Sequence, residues 1–311
     1  MSTTIPTTNY LIAVVGPTAI GKTALAIQLA QHYHCEIISC DSRQFYREMT
    51  VGTAVPTAEE LAAVPHHFIQ DKSIFNPYTV GDFEREALTR LDALFAVNPI
   101  QVLVGGSGLF VNAVLQGFDE FPEVAAAVRQ NLNRQLEEHG LEYLQQQLKE
   151  LDPVHYQNVA LQNPQRVIRA LEVCIGSGKP YSSFLNKKEN SRNFIPIIIG
   201  LEAQRDLMYE RINLRVDKMM ESGLLLEAEA LYPHQKRSAL QTVGYRELFS
   251  YLNGENSLEF ARAEIQKNTR RFAKRQLTWF KKTPDTHWFD IHTPWETIAE
   301  KIEEEIKEKS H

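Results

Sequence analysis

The sequence predicts an α/β protein: a parallel sheet flanked by helices, interrupted by an all-helical insertion. Three observations carry the prediction. Short apolar, β-branched runs alternate with helix-forming stretches, the pattern of strands buried on both faces of a parallel sheet. The first of these runs ends in Gly16-Pro17-Thr18-Ala19-Ile20-Gly21-Lys22-Thr23, a complete G-x-x-x-x-G-K-[ST] string, and a helix follows it. Between about residues 122 and 196 the strand-like runs stop, and Ala, Gln, Leu, Glu and Arg dominate until a strand returns at Ile195. Together these give a P-loop NTPase-like core from residues 1–119 and 196–311, with an inserted helical domain at 120–195.

In order, residues 11–15 read as the first strand and 23–30 as a helix with apolar positions at helical spacing. Residues 37–40 are a second strand ending at Asp41, and 100–104 a third ending at Gly105-Gly106. Inside the insertion, 124–151 is helical, and so is 164–173, which stops at Gly176-Ser177-Gly178. Residues 195–201 form the fourth strand. The chain is then expected to be helical nearly to its end, closing on a charged terminus at 303–311.

Composition excludes several classes. With 43% hydrophobic and 23% charged residues the chain has a globular make-up. No uninterrupted apolar stretch of about 18 residues exists, so no membrane span is expected. The first residues lack the basic flank and apolar core of a signal peptide. Cys35, Cys40 and Cys174 are too few and too scattered for a disulfide framework or a zinc site, which predicts a reduced, cytoplasmic protein. No long heptad seam argues for an oligomer, and a monomer is expected. The formal net charge of −6 argues against a uniformly basic surface but permits a local basic patch.

The glycine loop carries the chemistry. Backbone N–H groups of Gly16, Thr18, Ala19, Ile20 and Gly21 at a helix N-terminus form an anion site. Lys22 adds a point charge, and the Thr23 hydroxyl is a ligand for Mg²⁺. Asp41, at the end of a neighbouring strand, reads equally as a general base, a Mg²⁺ ligand or a helix cap. An Asn-Lys-x-Asp string is absent, which excludes a GTPase; Asn186-Lys187-Lys188-Glu189 has the wrong acid. Arg270, Arg271, Lys274, Arg275, Lys281 and Lys282 recur near helical spacing, interleaved with Phe272, Leu277, Trp279 and Phe280. Such a run is either a solvated face or a surface that tracks phosphates and stacks bases. On these residues alone a small-molecule kinase, a nucleotide-gated RNA-binding module and a transferase all stay open. His32, His34 and Cys35 have no second half and make no metal site, and His66-His67 are expected to be wall or hydrogen-bonding groups.

The ordered set of strings is more specific. To the glycine loop are added Asp-Ser-Arg-Gln-Phe-Tyr at 41–46, Val-Gly-Thr-Ala-Val-Pro at 51–56, Pro-His-His at 65–67 and Val-Gly-Gly-Ser-Gly-Leu-Phe at 104–110. Asn-Pro-Gln-Arg-Val-Ile-Arg-Ala-Leu-Glu-Val at 163–173, Thr-Val-Gly-Tyr-Arg-Glu at 242–247 and the basic-aromatic run at 270–280 follow. In this order, over residues 10–282, the sequence resembles the bacterial tRNA dimethylallyltransferases of the IPP transferase family. The resemblance implies dimethylallyl diphosphate in the glycine loop, Mg²⁺ as cofactor and a tRNA anticodon stem-loop as partner, its adenosine 3′ of the anticodon being prenylated. It implies Asp41 as base, Ser107 as a hydroxyl near the reacting groups, and Arg211 or Arg215, four apart on one helical face, on the diphosphate. It implies tRNA contacts from Asp41, Ser42, Arg43, Gln44 and Ser107, from Arg129, Gln165, Arg166 and Arg169, and from Gly244, Tyr245, Arg246, Arg271, Lys274 and Arg275. Two positions depart from the family: Ser107 replaces the usual threonine, and Glu247 the usual glutamine, bringing a carboxylate where phosphate is expected.

Overall fold

A computed structural model of the chain describes residues 8–119, 121–185 and 192–310. The chain divides into two compact units, Met1–Gln116 with Arg192–His311, and Gly117–Ser191. The first unit begins with β1 (Asn9–Val15), α1 (Lys22–His32), β2 (Ile37–Ser39), α2 (Ala58–Ala63), β3 (His66–His67), α3 (Val80–Phe95), β4 (Ile100–Gly105) and α4 (Gly108–Gln116). The second holds α5 (Ala126–Leu151), kinked at Gly140, then α6 (Pro153–Asn158) and α7 (Pro164–Ser177). The first unit resumes with β5 (Phe194–Glu202), α8 (Arg205–Glu221), α9 (Leu224–Leu231), α10 (Tyr245–Leu252), α11 (Leu258–Phe280), β6 (Thr286–Asp290) and α12 (Trp295–Lys309).

Six strands among the described residues form one sheet, ordered β3-β2-β4-β1-β5-β6, with every pairing parallel. The strand period of two divides β1 between the faces. Tyr10, Ile12 and Val14 pack under α1 and α12, while Leu11, Ala13 and Val15 pack under α3 and α4. Phe45, Phe83 and Phe110 cluster on the second face, and Phe83, fully buried, contributes about 2–3 kcal/mol by leaving water. A separate core joins α8 to α11 to Tyr46, Met49 and Ile74.

Four strands fall where the apolar runs place them, and two do not. β3 is two residues long and polar, so it has no hydrophobic signature. β6 corrects the expectation of a helical C-terminal part: Thr-His-Trp-Phe-Asp is a half-exposed edge strand, held by pairing with β5 rather than by an apolar run. The second unit is helical, with Leu132, Leu144, Leu148, Val167, Ile168 and Leu171 buried in its own core. Its α7 starts on Asn163, whose Oδ1 accepts the Gln165 and Arg166 N–H groups, with Pro164 next. The Asn186-Lys187-Lys188-Glu189 string lies outside the described residues.

The sheet gathers the carboxyl ends of β1, β2 and β4 on one edge, where loops of parallel sheets form sites. β2 and β4 approach there so closely that a Cβ on Gly105 would lie 2.1 Å from the Cys40 carbonyl oxygen. Gly105→Ala is therefore expected to cost about 3 kcal/mol in urea unfolding at unchanged m; a loss under about 1 kcal/mol means the strands part freely.

Candidate active site

The glycine loop runs from β1 into α1. The Lys22 ammonium donates to the Pro17 carbonyl at 2.7 Å, folded back across its own loop. Its burial pulls its pKa down to about 8, against the attraction of Asp41 and with the repulsion of Arg215. An anion beside it favours the charged form.

Asp41 and Ser107 follow neighbouring strands, and Ser107 is tied to the loop that carries Asp41. The Asp41 carboxylate accepts the Arg43 N–H at 3.0 Å through Oδ1. Ser107 Oγ accepts the Ser42 N–H at 3.1 Å and donates to Ser42 Oγ at 3.0 Å. Arg43 reaches the Ser238 and Ala239 carbonyls, and Gln44 the Thr53 and Ala54 carbonyls, so both hold loops. Asp41 lines two adjoining spaces. One is a small cavity of about 90 Å³ beside Lys22, Thr23, Ser39, His66 and Arg215. The other is a wider cavity of about 360 Å³ walled by Ser107, Phe110, Phe272 and Trp279.

The two candidate arginines part company here. Arg215 lines both cavities and the open groove along the glycine loop, and burial lowers its pKa against the pull of Asp41. Arg211 is exposed and donates to the Ala19 carbonyl at 2.9 Å; it lines the open groove beside Arg215 but neither cavity. His66 Nδ1 donates to the Val64 carbonyl at 2.8 Å, which leaves Nε2 a buried acceptor without a protein partner. Burial lowers the His66 pKa, favouring this neutral ring. His67 points the other way, to Glu36.

Arg271, Lys274 and Arg275 on α11 and Lys282 just after it line a shallow groove with Thr278 and Trp279. Phe272 and Trp279 are each 39% exposed, and the Arg275 guanidinium sits 5.8 Å from the Phe272 ring centre. Arg270 instead turns to Asn213 and Tyr209, and Lys281 to Glu202. In the helical unit Arg129 and Arg169 share the Glu172 carboxylate at 3.0 Å each, and Arg129 also reaches Gln165. Arg166 is exposed. Arg246 lines a separate groove with Glu247, while Gly244 lines the wide cavity.

Tyr245 requires a correction. Its side chain is fully buried and donates to Glu227 at 2.6 Å, so it is a core group and presents nothing to RNA. Glu247 is spoken for as well: it accepts the Gly244 N–H and the Asn268 amide, capping α10 rather than facing a phosphate.

Two residues escaped the sequence reading. Glu227 accepts the Thr50, Val51 and Gly52 N–H groups at 2.8 Å each, holding the loop between the wide cavity and the groove. Gln276, buried, links the Thr18 N–H to the Gly106 carbonyl. A polar residue on the buried stripe of α11, between Ala273 and Phe280, was the signal available for Gln276. Among the described residues no group of three or more His, Cys, Asp or Glu gathers to hold a metal alone. No helix among them is long and apolar enough to cross a membrane.

Fold and site together define a P-loop α/β enzyme with a carboxylate between its anion loop and an aromatic-walled cavity. The chain belongs to the IPP transferase family: the family model described as IPP transferase matches residues 44–283. It is 62% identical over 96% of its length to a Flavobacterium johnsoniae protein named tRNA dimethylallyltransferase, covering 99% of that protein. The tRNA isopentenylpyrophosphate transferase of Bacillus halodurans is similar in structure, with TM-score 0.71, 37% identity and coverage of 97% and 100% of the two chains. A eukaryotic dimethylallyltransferase described as acting on tRNA aligns with TM-score 0.78 and 25% identity, over 91% of this chain and 74% of that one.

Glu227→Ala leaves three backbone N–H groups and the Tyr245 phenol without their acceptor. It is expected to cost about 3 kcal/mol or more in denaturant unfolding, and Glu227→Gln, which keeps one oxygen, about 1–2 kcal/mol.

Proposed function

We propose that this protein transfers the dimethylallyl group of dimethylallyl diphosphate to the exocyclic N6 amine of the adenosine immediately 3′ of the anticodon in tRNA. The observation that carries the reading is Asp41, which lines both the small cavity beside Lys22 and Arg215 and the wide aromatic-walled cavity. The adenine amine is a weak nucleophile, its lone pair delocalised into the ring. As its nitrogen bonds to C1 of the dimethylallyl group, the C1–O bond breaks and the electron pair leaves on diphosphate. The amine proton passes to the Asp41 carboxylate. Lys22, the loop N–H groups and Arg215 receive the charge that gathers on diphosphate. Arg215 is the better of the two candidate arginines because Arg211 is exposed and committed to Ala19.

Mg²⁺ fits the Thr23 hydroxyl, a hard oxygen donor that lines the small cavity beside Lys22, and held there with the substrate it would neutralise further charge on the diphosphate. An adenosine reaches the wide cavity only if unpaired and splayed from its neighbours, as in an anticodon loop. Phe272 and Trp279 offer faces for stacking, with Arg271, Lys274 and Arg275 for phosphates. The inserted unit, through Arg129, Arg166 and Arg169, is read as a second tRNA contact, and the protein as a cytoplasmic monomer. Three buried free thiols fit a reducing compartment. Nothing favours a kinase, which leaves the basic-aromatic face of α11 without a use.

The direct test is transfer of labelled dimethylallyl diphosphate to unmodified tRNA with Mg²⁺, beside an ATP-hydrolysis assay. Label in that adenosine is expected; phosphate release from ATP without label overturns the reading. Asp41→Ala and Lys22→Ala are expected to lower transfer by about 10²-fold or more with folding intact. Arg215→Ala is expected to lose about 10²-fold and Arg211→Ala under about tenfold; the reverse order returns Arg211 to the diphosphate. Arg271→Ala with Lys274→Ala is expected to reduce the slope of log affinity for tRNA against log salt by about 2, and an unchanged slope removes them from the phosphate contacts.

A further inference from the structure

Gln276 is 7% exposed and uses both ends of its amide. Oε1 accepts the Thr18 N–H at 2.9 Å, and Nε2 donates to the Gly106 carbonyl at 2.8 Å. Thr18 belongs to the anion loop after β1, and Gly106 to the turn after β4. The ladder between these strands ends at the pair Val15 and Gly105, so beyond it the amide of Gln276 bridges the two turns. The fit is close: a Cβ on Gly106 would lie 2.4 Å from Gln276 Nε2. The helix carrying this amide also supplies the wall of the wide cavity. Phe272, Arg275 and Trp279, at i−4, i−1 and i+3 from Gln276, all line it. Trp279 packs on Gly108, whose added Cβ would lie 2.3 Å from the indole.

We propose that Gln276 is a positioning residue that couples the seating of RNA on α11 to the conformation of the anion loop, making the two substrates bind cooperatively. This rests on the prenyl-transfer reading. RNA that stacks on Phe272 and Trp279 and pairs with Arg275 loads one face of about two helical turns. A helix moves as a unit over that distance, so the load reaches Gln276, and through it Thr18 and Gly106. Firming Thr18 holds the loop N–H groups in the array that receives diphosphate. Linkage makes the effect reciprocal: diphosphate must tighten RNA binding by the same factor. The hydrogen bonds matter more than the volume, because an apolar residue of equal size leaves the part-buried Thr18 N–H and the buried Gly106 carbonyl without this partner.

The test measures the affinity of inorganic diphosphate with Mg²⁺, alone and with a saturating synthetic anticodon stem-loop carrying the acceptor adenosine. In the unaltered protein RNA is expected to tighten diphosphate about tenfold, within the usual range of coupling between sites. In Gln276→Met, similar in volume without the hydrogen bonds, the ratio is expected to fall to about 1. Gln276→Glu, whose carboxylate cannot donate to the Gly106 carbonyl, is expected to lower it as well. The ratio is the readout, because a residue that merely supported the fold weakens both ligands without changing it. A second measurement needs no variant: hydrogen exchange at Thr18 in the unaltered protein is expected to slow about tenfold when RNA binds. Both ligands binding with a ratio of 1, a ratio retained in the variants, or exchange unchanged by RNA overturns the proposal and leaves the prenyl-transfer reading standing. Failure of the unaltered protein to bind either ligand removes that reading and the proposal with it.

Discussion

The parallel register of β1, β2 and β4 is the constraint on which the site depends. Parallel strands all deliver their carboxyl ends to one edge, so the glycine loop, Asp41 and the turn at Gly105–Ser107 meet there, and Gln276 bridges the first to the last. The register also sets how little room remains, with the Cys40 carbonyl against Gly105 and Gln276 against Gly106. Small residues at these places are what lets three loops converge on one point.

The cost of the arrangement is electrostatic. Lys22, Arg215 and Asp41 share a confined space, and burial disfavours the charged forms of both cations. Asp41 attracts both cations and Glu60 attracts Arg215, yet burial outweighs them, so an arriving anion is favoured. A strongly negative substrate is therefore the natural complement of the loop. Asp41 stands at the boundary between that cationic space and a cavity whose walls are mostly apolar and aromatic. The same carboxylate steadies the cations and faces whatever enters the cavity, and proton acceptance requires that position.

Much of this was legible in the sequence, for physical reasons. β1, β2, β4 and β5 are buried on both faces, so their apolar runs stand out, and the glycine loop has a spacing that its backbone geometry demands. β3 and β6 were not legible, because an edge strand held by pairing with a neighbour needs no hydrophobic run. The tRNA contact that the family resemblance implies for Tyr245 is at odds with its burial, which the string at 242–247 does not reveal. The partner of Tyr245, Glu227, is 18 residues away in another helix. Arg211 and Arg215 were equivalent by spacing, and only the path of α8 past the loop separates a residue of the open groove from a cavity wall.

Glu227 and Gln276 were invisible for a common reason: each acts on backbone groups of distant loops, and a backbone N–H has no letter in the sequence. Glu227 satisfies three donors of the loop at 50–52, and Gln276 one donor and one acceptor of two others. Loops that bind anions keep their N–H groups free of secondary structure, so they cannot hold themselves together by a ladder. Some other group must fix them, and a side chain from a packed helix does so while leaving the remaining N–H groups available. That requirement explains why a buried glutamine lies on the apolar stripe of α11, where a leucine would bury more hydrocarbon. The hydrocarbon gain is about 1–2 kcal/mol, while two unpaired backbone groups cost about 1–3 kcal/mol each. The polar choice wins only because the loops need it, which ties the stability of this helix to the readiness of the site it supports.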